Sequence, residues 1–283
     1  MAYVSSWPGG WFCANFSARL AMRALFNIGK SRPQPTRDAV QAEVPELRGA
    51  DLSAVYYGQR MGGDFYDFLR VSPKRVLFGL LDVAGRQEEN RGIISAAQQS
   101  FRTLGAELFA KEDINEAEAM IEVCLQLNRT ILETAGGVHS CPAFAGCYDE
   151  NLGTVCYFNA GHTPGLVRDK TGVAELPATG LPLGLFSHST CDASTVALEP
   201  GAVLMLVSRG IVEAKCGGEE YGLESVKAGL QRSSAVGAKE FCLSILDQIQ
   251  QFMCTPPTHN DVTTLALARN SQVDPSSGAV ARA

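Results

Sequence analysis

The sequence predicts an α+β fold, a four-layer α-β-β-α sandwich of two mainly antiparallel sheets flanked by helix pairs. Three observations support this prediction. Strand-like segments open the predicted domain, two long helix-like segments follow, and more strands, a second helix pair and a last strand complete it. Two packed sheets with a helix pair on each outer face accommodate that order. With 283 residues, 46% of them hydrophobic, the chain has enough apolar material for one sizeable core.

Three short strands begin the predicted domain, and their closeness in the chain indicates antiparallel pairing. Each has the alternating or continuous apolar residues that strands bury. A Gly-Gly pair at 62–63 and a Pro-Lys pair at 73–74 supply the turns. The predicted strands are residues 52–57, 65–69 and 75–83.

Two long amphipathic helices follow, because the apolar residues change from strand spacing to helical spacing. Residues 111–115 separate the two helices. The apolar face of the first helix contains Ile93, Ile94, Ala97, Phe101, Leu104 and Leu108. The face of the second contains Ala117, Met120, Ile121, Cys124, Leu127 and Ile131.

Strand patterns return after the Gly-Gly pair at 136–137, and the first three of these strands are predicted to form a meander. They are residues 143–148, 154–159 and 165–168. The later elements are strands at 196–198 and 203–207, helices at 223–231 and 238–253, and a strand at 262–267. The tail, residues 270–283, is rich in Ser, Gly and Ala and is predicted to be disordered.

The N-terminal segment is basic, with five Lys or Arg and no Asp or Glu in its first 37 residues. Residues 1–30 are predicted to include a basic amphipathic helix. It is suited to a membrane surface, a partner, a dimer interface or the surface of its own domain. Residues 31–44 have the prolines and polar residues of a linker, so the domain is predicted to span residues 45–269.

Composition excludes several classes of protein. A formal net charge of −6 gives nucleic acid little reason to bind. No uncharged apolar stretch reaches the roughly 18 residues of a membrane-spanning helix. Nine cysteines without a CxxC pair are interpreted as reduced thiols of a cytoplasmic protein. The cluster of Cys141, Cys147 and Cys156 with His139 has a poor spacing for zinc, and small buried hydrophobic residues are the favoured interpretation.

Two aspartates occupy positions suited to a metal ion. Asp64 follows the two glycines at the head of a predicted strand, and Asp82 ends the next strand. Carboxylates at the ends of neighbouring strands can converge on a hard cation, and backbone carbonyls add further ligands. Aspartates at strand ends also commonly cap turns, so the pair by itself leaves both interpretations open.

Seven motifs occur in the order and spacing of one family. They are GGDFYDF (62–68), LLDVAG (80–85), FNAGHTP (158–164), GLPLGLF (180–186), LEPGAVLMLVSRGIVEA (198–214), YGLESV (221–226) and NDVTTLAL (260–267). The chain thereby resembles the PPM-type protein phosphatases, and among them the bacterial branch that includes stage II sporulation protein E. The resemblance covers roughly residues 45–269.

The resemblance implies a metal-dependent phosphoserine or phosphothreonine phosphatase with two Mn²⁺ or Mg²⁺ ions, which activate a water. In the family pattern Asp82 bridges both metals, the carbonyl of Val83 adds a ligand, and Asp64 supports the first metal. The implied partner is a phosphorylated bacterial regulatory protein of the anti-sigma antagonist type. A homodimer through the N-terminal or the long helices is a further expectation.

Two positions depart from the family pattern. Arg209 and Asn260 stand where the family has aspartates that hold the second metal. A guanidinium has no lone pair for a cation, so we expect the second metal to be lost and Arg209 to pair with Asp82 or Asp64. In the alternative, Arg209 points to solvent and Asp261 replaces the missing ligand, which is expected to need a β-bulge. An amide at 260 remains an acceptable ligand.

Three further residues have two interpretations each. Arg86 and Arg91 form either an anion-binding rim for phosphate or an ordinary solvated loop. His162 is either a hydrogen-bonded turn histidine, which is favoured, or a general acid. Two functions therefore remain after the sequence analysis. One is a phosphatase with impaired catalysis, and the other is a pseudophosphatase that binds or senses a partner without turnover.

Overall fold

The computed structural model describes residues 42–57, 63–85, 87–254 and 261–271, and only the backbone of residues 87–89. The predicted N-terminal helix, the linker up to residue 41 and the tail from residue 272 lie outside the described residues. So do Arg86 and Asn260. The domain boundaries at 30, 44 and 269 remain predictions.

Strands and helices follow the predicted order. In chain order the described strands are β1 (Ala50–Tyr57), β2 (Asp64–Arg70), β3 (Arg75–Asp82), β4 (Ala143–Asp149), β5 (Thr154–Ala160), β6 (Gly165–Arg168), β7 (Val173–Leu176), β8 (Ser194–Ala197), β9 (Val203–Val207), β10 (Lys215–Cys216), β11 (Glu219–Glu220) and β12 (Val262–Arg269). The helices are α1 (Gln87–Phe109), α2 (Glu116–Ala135), α3 (Arg209–Val212), α4 (Gly222–Arg232) and α5 (Ala238–Phe252).

Two five-stranded antiparallel sheets form the centre of the domain. The first has the order β2-β3-β4-β5-β8 and the second has the order β1-β12-β9-β6-β7. Strand β3 shows how the layers pack. Its Leu77 and Leu81 join the apolar cluster of α1 and α2, while Val76, Phe78 and Leu80 point into the cluster between the sheets. Helices α4 and α5 cover the outer face of the second sheet. The predicted α-β-β-α sandwich is therefore confirmed.

Two predicted strand pairings are wrong. Strand β1 does not join β2 and β3 but pairs with β12, and β6 leaves the predicted meander to pair with β7 and β9. Residues 161–164 carry the chain between the sheets, and there the Thr163 hydroxyl donates to the carbonyl of Val207 in β9. These pairings depend on the burial of apolar faces between distant segments, so closeness in the sequence does not predict the strand partners.

Four short elements escape the sequence analysis: β7, α3, β10 and β11. Each has two to four residues, which is too short for a periodic pattern to be visible. The longer α2 has clear boundaries, since the Asn115 side chain accepts from the amide of Glu118 and Gly136 ends the helix in a left-handed conformation. No helix of the described segments is both long and apolar enough to span a membrane.

The prediction that all cysteines are reduced is wrong for one pair. Cys216 and Cys254 are joined by a disulfide, with their Cα atoms 5.3 Å apart. The absence of a CxxC pair does not exclude this bond, because the fold brings together two residues 38 positions apart. The free cysteines of the described segments are all buried: Cys124, Cys141, Cys147, Cys156, Cys191 and Cys242.

Candidate metal centre

Asp64 and Asp82 lie directly opposite each other at the ends of β2 and β3. The Val83 amide extends the pairing by donating to the Gly63 carbonyl at 3.1 Å. A Cβ atom at position 63 would overlap the carbonyl oxygen of Val83, so only glycine permits this approach. The GGD motif therefore brings the backbone at Gly63, just before β2, against Val83, just after β3.

Asp261 also reaches this site, from the start of β12. Its side chain is buried, and its Oδ2 accepts from the Asp64 amide at 3.3 Å. The Thr263 hydroxyl donates to Asp64 Oδ2 at 2.6 Å. Asp261 reaches Asp64 without a β-bulge, because it precedes the first residue of β12, Val262, and strand alternation does not fix its direction. Its role as a replacement ligand remains a prediction.

Ser208 joins the segment at the start of β12, which includes Asp261 and Thr263, to α3, which begins at Arg209. Its amide donates to the Thr263 carbonyl and its Oγ accepts from the Thr263 amide, both at 2.9 Å. The same hydroxyl donates to the Asp261 carbonyl at 3.2 Å. Since Ser208 immediately precedes α3, these bonds fix where Arg209 leaves the backbone.

Arg209 forms the salt bridge expected from the sequence. Its Nε lies 3.3 Å from Asp82 Oδ2 and 3.9 Å from Glu213 Oε1. The Arg209 side chain is 51% exposed, whereas that of Asp82 is 11% exposed. The guanidinium thus covers one carboxylate of the centre from the solvent side instead of pointing away from it.

Burial and mutual repulsion raise the pKa values of the carboxyl groups. Burial is the main cause that raises the pKa of Asp64 to about 7, the Thr263 hydroxyl opposes it, and the charges of Asp82 and Asp261 add to it. Burial also raises the pKa of Asp82, while the nearby Arg209 lowers it. The surrounding residues therefore do not fully stabilise the ionised forms of Asp64 and Asp82.

Tyr56 belongs to the same cluster, although the sequence analysis missed it. It lies opposite Thr263 in the β1–β12 pairing. Burial raises its pKa, and the charge and hydrogen bond of Asp261 raise it further. Because β1 is predicted to pair with β2 and β3, no sequence pattern indicates that Tyr56 approaches these carboxylates.

The donor chemistry of this centre fits a hard divalent cation. Asp64 and Asp82 offer carboxylate oxygens, and the Val83 carbonyl, which accepts from Asn90 Nδ2 at 3.0 Å, retains a second lone pair. The raised pKa of Asp64 shows that positive charge would stabilise its ionised form. Among the described residues, however, no group of three or more His, Cys, Asp or Glu side chains is arranged to hold a metal. The donors at hand for an ion are therefore the carboxylates of Asp64 and Asp82 and the carbonyl of Val83.

The remaining predicted residues are His162 and Arg91, which are described, and Arg86, which lies outside the described segments. His162 is buried, and its Nδ1 lies 3.1 Å from both the carbonyl and the hydroxyl oxygen of Thr163. Burial lowers the pKa of His162 to about 4. It is thus neutral near pH 7, which favours the turn histidine over a general acid. Arg91 is exposed on α1, so the proposed rim with Arg86 remains a prediction.

Comparisons with known proteins agree with these features. The family model described as stage II sporulation protein E (SpoIIE) matches residues 72–270. The phosphoserine phosphatase RsbP of Bacillus subtilis is 26% identical over 165 residues, which are 56% of this chain and 39% of RsbP.

Two solved structures have a similar fold. The RsbU and RsbW domains of Rv1364c from Mycobacterium tuberculosis align with a TM-score of 0.66 and 22% identity, over 85% of this chain and 65% of that one. The PP2C phosphatase domain of SpoIIE from Bacillus subtilis, with a fragment of its regulatory domain, aligns with a TM-score of 0.64 and 15% identity, over 79% and 64%. The chain spans about two fifths of the length of the curated relatives it matches.

Proposed function

The chain belongs to the stage II sporulation protein E family, and on that premise we propose that it carries a phosphoserine or phosphothreonine protein phosphatase domain with impaired catalysis. The observation that carries the proposal is the meeting of Asp64 and Asp82 across β2 and β3 with Asp261 beside them. Burying carboxylates together is costly unless a cation compensates for their charge. The family resemblance provides the reason to retain such an arrangement.

The residues have separate tasks in this proposal. A Mn²⁺ or Mg²⁺ ion held by Asp64, Asp82 and the Val83 carbonyl would supply Lewis-acid activation of water. Thr263 orients the Asp64 carboxylate by its hydrogen bond, and Gly63 allows the Val83 backbone to approach. Asp261 holds the Asp64 amide and so fixes the end of β2. These contacts position the oxygens before any ion arrives.

Impaired catalysis is proposed because of Arg209. The family pattern has a carboxylate at this position, whereas Arg209 brings a permanent positive charge 3.3 Å from Asp82. At an effective dielectric of about 20, two unit charges about 4 Å apart interact by roughly 4 kcal/mol, so a dication close to Arg209 is strongly repelled. Loss of one electrostatic stabiliser of a transition state typically costs about 100-fold or more in rate. We therefore expect slow turnover.

A pseudophosphatase is the second candidate, and the same salt bridge favours it. If Arg209 fully replaces the cation, the domain keeps its fold and docking surface but hydrolyses nothing. The partner proposed for either function is a phosphorylated regulatory protein of the anti-sigma antagonist type. The similarity to the phosphoserine phosphatase RsbP supports this choice.

Calorimetric titration of the purified chain with Mn²⁺, beside turnover of a phosphoserine peptide, separates the candidates. One metal site with slow, metal-dependent turnover supports the impaired phosphatase. One weak site or none, without turnover, supports the pseudophosphatase. Two sites with turnover typical of fully active phosphatases would overturn both proposals and show that other ligands replace the two missing aspartates.

A further inference from the structure

We propose that Cys216 and Cys254 are a reversible oxidation site, whose disulfide ties the β10–β11 hairpin to the end of α5. The Cα atoms are 5.3 Å apart, within the range that a disulfide spans. Cys216 is partly buried and Cys254 is exposed, so oxidants and reductants have access to the pair. The free cysteines of the described segments are buried, which makes this pair the preferred target.

Noncovalent contacts bring the two cysteines together independently of the bond. Tyr221, which follows the hairpin, packs its ring against Phe252 at the end of α5, with 5.2 Å between the ring centroids. Its hydroxyl donates to Gln248 Oε1 at 3.4 Å. The Tyr221 amide donates to the Ala214 carbonyl at 2.8 Å, which closes the base of the hairpin. The reduced thiols therefore remain close enough for rapid reoxidation.

The hairpin itself is short and weak, so a covalent bond is expected to add to its stability. Strands β10 and β11 have two residues each, joined by Gly217 and Gly218 at φ values of 62° and 92°. An exposed ion pair between Lys215 and Glu220 is its cross-strand contact, and such pairs contribute little. Short two-stranded hairpins are marginally stable in water.

The disulfide joins two cysteines that are near residues of the carboxylate centre in the sequence. Arg209 lies shortly before Cys216, and Asp261 lies shortly after Cys254. Both segments are already joined near the centre by Ser208. A disulfide between Cys216 and Cys254 thus joins a position shortly after Arg209 to a position shortly before Asp261 in the sequence. This inference stands on the geometry of the cysteines and does not depend on the proposed phosphatase activity.

The chemistry needs a two-electron oxidant, for which we name hydrogen peroxide. One cysteine thiolate attacks a peroxide oxygen, the O–O bond breaks, and a sulfenic acid and hydroxide form. The second thiolate attacks that sulfur, the S–S bond forms, and a second hydroxide leaves. The thiol protons convert both hydroxides to water. A dithiol such as dithiothreitol reverses the reaction by thiol–disulfide exchange.

Mass spectrometry of the full chain tests the linkage. The protein is treated with peroxide or with dithiothreitol, its free thiols are alkylated, and it is digested with trypsin and chymotrypsin. Trypsin cleaves at Lys215 and so separates Cys216 from Cys191, and chymotrypsin cleaves at Phe252 and so separates Cys242 from Cys254. We expect a peptide linked through Cys216 and Cys254 after peroxide, and two alkylated peptides after dithiothreitol. Two alkylated peptides under both conditions, or linkage of either residue to another cysteine, would overturn the proposal.

Hydrogen exchange tests the mechanical consequence. In the oxidised protein we expect the amides of residues 214–221 to exchange at least about tenfold more slowly than in the reduced protein, because the bond opposes local opening. Cys216→Ser and Cys254→Ser are matched variants, and each should exchange at the reduced rate with or without peroxide. Equal exchange of these amides in oxidised and reduced wild-type protein would overturn the proposed stabilisation of the hairpin by the disulfide, whatever the result for phosphatase activity.

Discussion

The Arg209 guanidinium is paired with the Asp82 carboxylate, with Nε 3.3 Å from Oδ2. Asp82 is the residue at which the two metals of the family pattern would meet, so the chain supplies a positive charge of its own at that point. The Arg209 charge lowers the pKa of Asp82 against the effect of burial. A metal ion must therefore compete for Asp82 with the Arg209 guanidinium, which is part of the chain and cannot diffuse away.

Replacing the cation should restore metal binding. We predict that Arg209→Asp together with Asn260→Asp raises Mn²⁺ affinity at least about tenfold, because repulsion is removed and two carboxylates are added. Calorimetric titration measures the change. Arg209→Lys is the matched control, since it keeps the charge and should leave the affinity low. Unchanged affinity in the double variant would show that Arg209 does not lie at a metal position.

Asp82 should be essential for the first ion. We predict that Asp82→Asn lowers Mn²⁺ affinity at least about tenfold, since it removes the carboxylate that faces both Asp64 and Arg209. Urea unfolding without metal should show stability equal to or above that of the wild type, because the burial cost of a charged group is removed. Asp113→Asn, at an exposed loop position, controls for general charge effects. Wild-type affinity in Asp82→Asn would place the ion elsewhere.

The raised pKa of Asp64 predicts how metal-free stability depends on pH. The folded protein holds this proton more tightly than the unfolded chain, because the pKa rises from 3.8 to about 7. The resulting contribution is present in full below pH 3.8 and is lost as pH rises through about 7. At the steepest point the loss is about 1.4 kcal/mol per pH unit.

Urea unfolding in EDTA between pH 5 and pH 8 measures this contribution. The difference in free energy of unfolding between Asp64→Asn and wild type isolates it from the other titrating groups, and that difference should grow with pH in favour of the variant. Thr263→Val should extend the loss to higher pH, since the pKa of Asp64 rises further when the hydroxyl that stabilises its ionised form is gone. A pH-independent difference between Asp64→Asn and wild type would contradict the assignment.

The sequence predicts the parts of this fold that repeat a periodic pattern. Alternation in β3 and helical spacing in α1 and α2 place their residues correctly, because burial of one face dictates both patterns. The predicted strand ends single out Asp64 and Asp82, and the order of the motifs, not periodicity, indicates the family. Both kinds of signal are local or depend only on order along the chain.

Contacts between distant segments could not be predicted in the same way. The pairing of β1 with β12 brings Tyr56 to the carboxylates, and no local pattern specifies that partner. Asp261 reaches Asp64 because it lies just outside β12, where alternation does not apply. The Cys216–Cys254 bond depends on the packing of Tyr221 against Phe252. Each of these features depends on contacts between segments that are far apart in the sequence, and no local sequence pattern specifies such contacts.

The second aspartate of the GGDFYD motif anchors β2 to α1 and gives a prediction about stability. Asp67 is 2% exposed, and its two carboxylate oxygens accept from Arg102 Nε at 2.7 Å and Nη2 at 2.8 Å. Its Oδ1 also accepts from the Phe68 amide at 2.9 Å. The pair therefore fixes the strand that begins with Asp64 against the helix that covers it.

We predict that Arg102→Met lowers the free energy of unfolding by about 2 kcal/mol or more, because it leaves a buried carboxylate without its charged partner. The figure lies below that of fully buried pairs, since the Arg102 side chain is 32% exposed. Asp67→Leu with Arg102→Met removes both charges and should recover part of the loss, as buried pairs replaced by apolar residues often do. Urea unfolding of the two single variants, the double variant and the wild type gives the coupling energy. Additive effects of the two substitutions would show that the bidentate contact contributes nothing to stability.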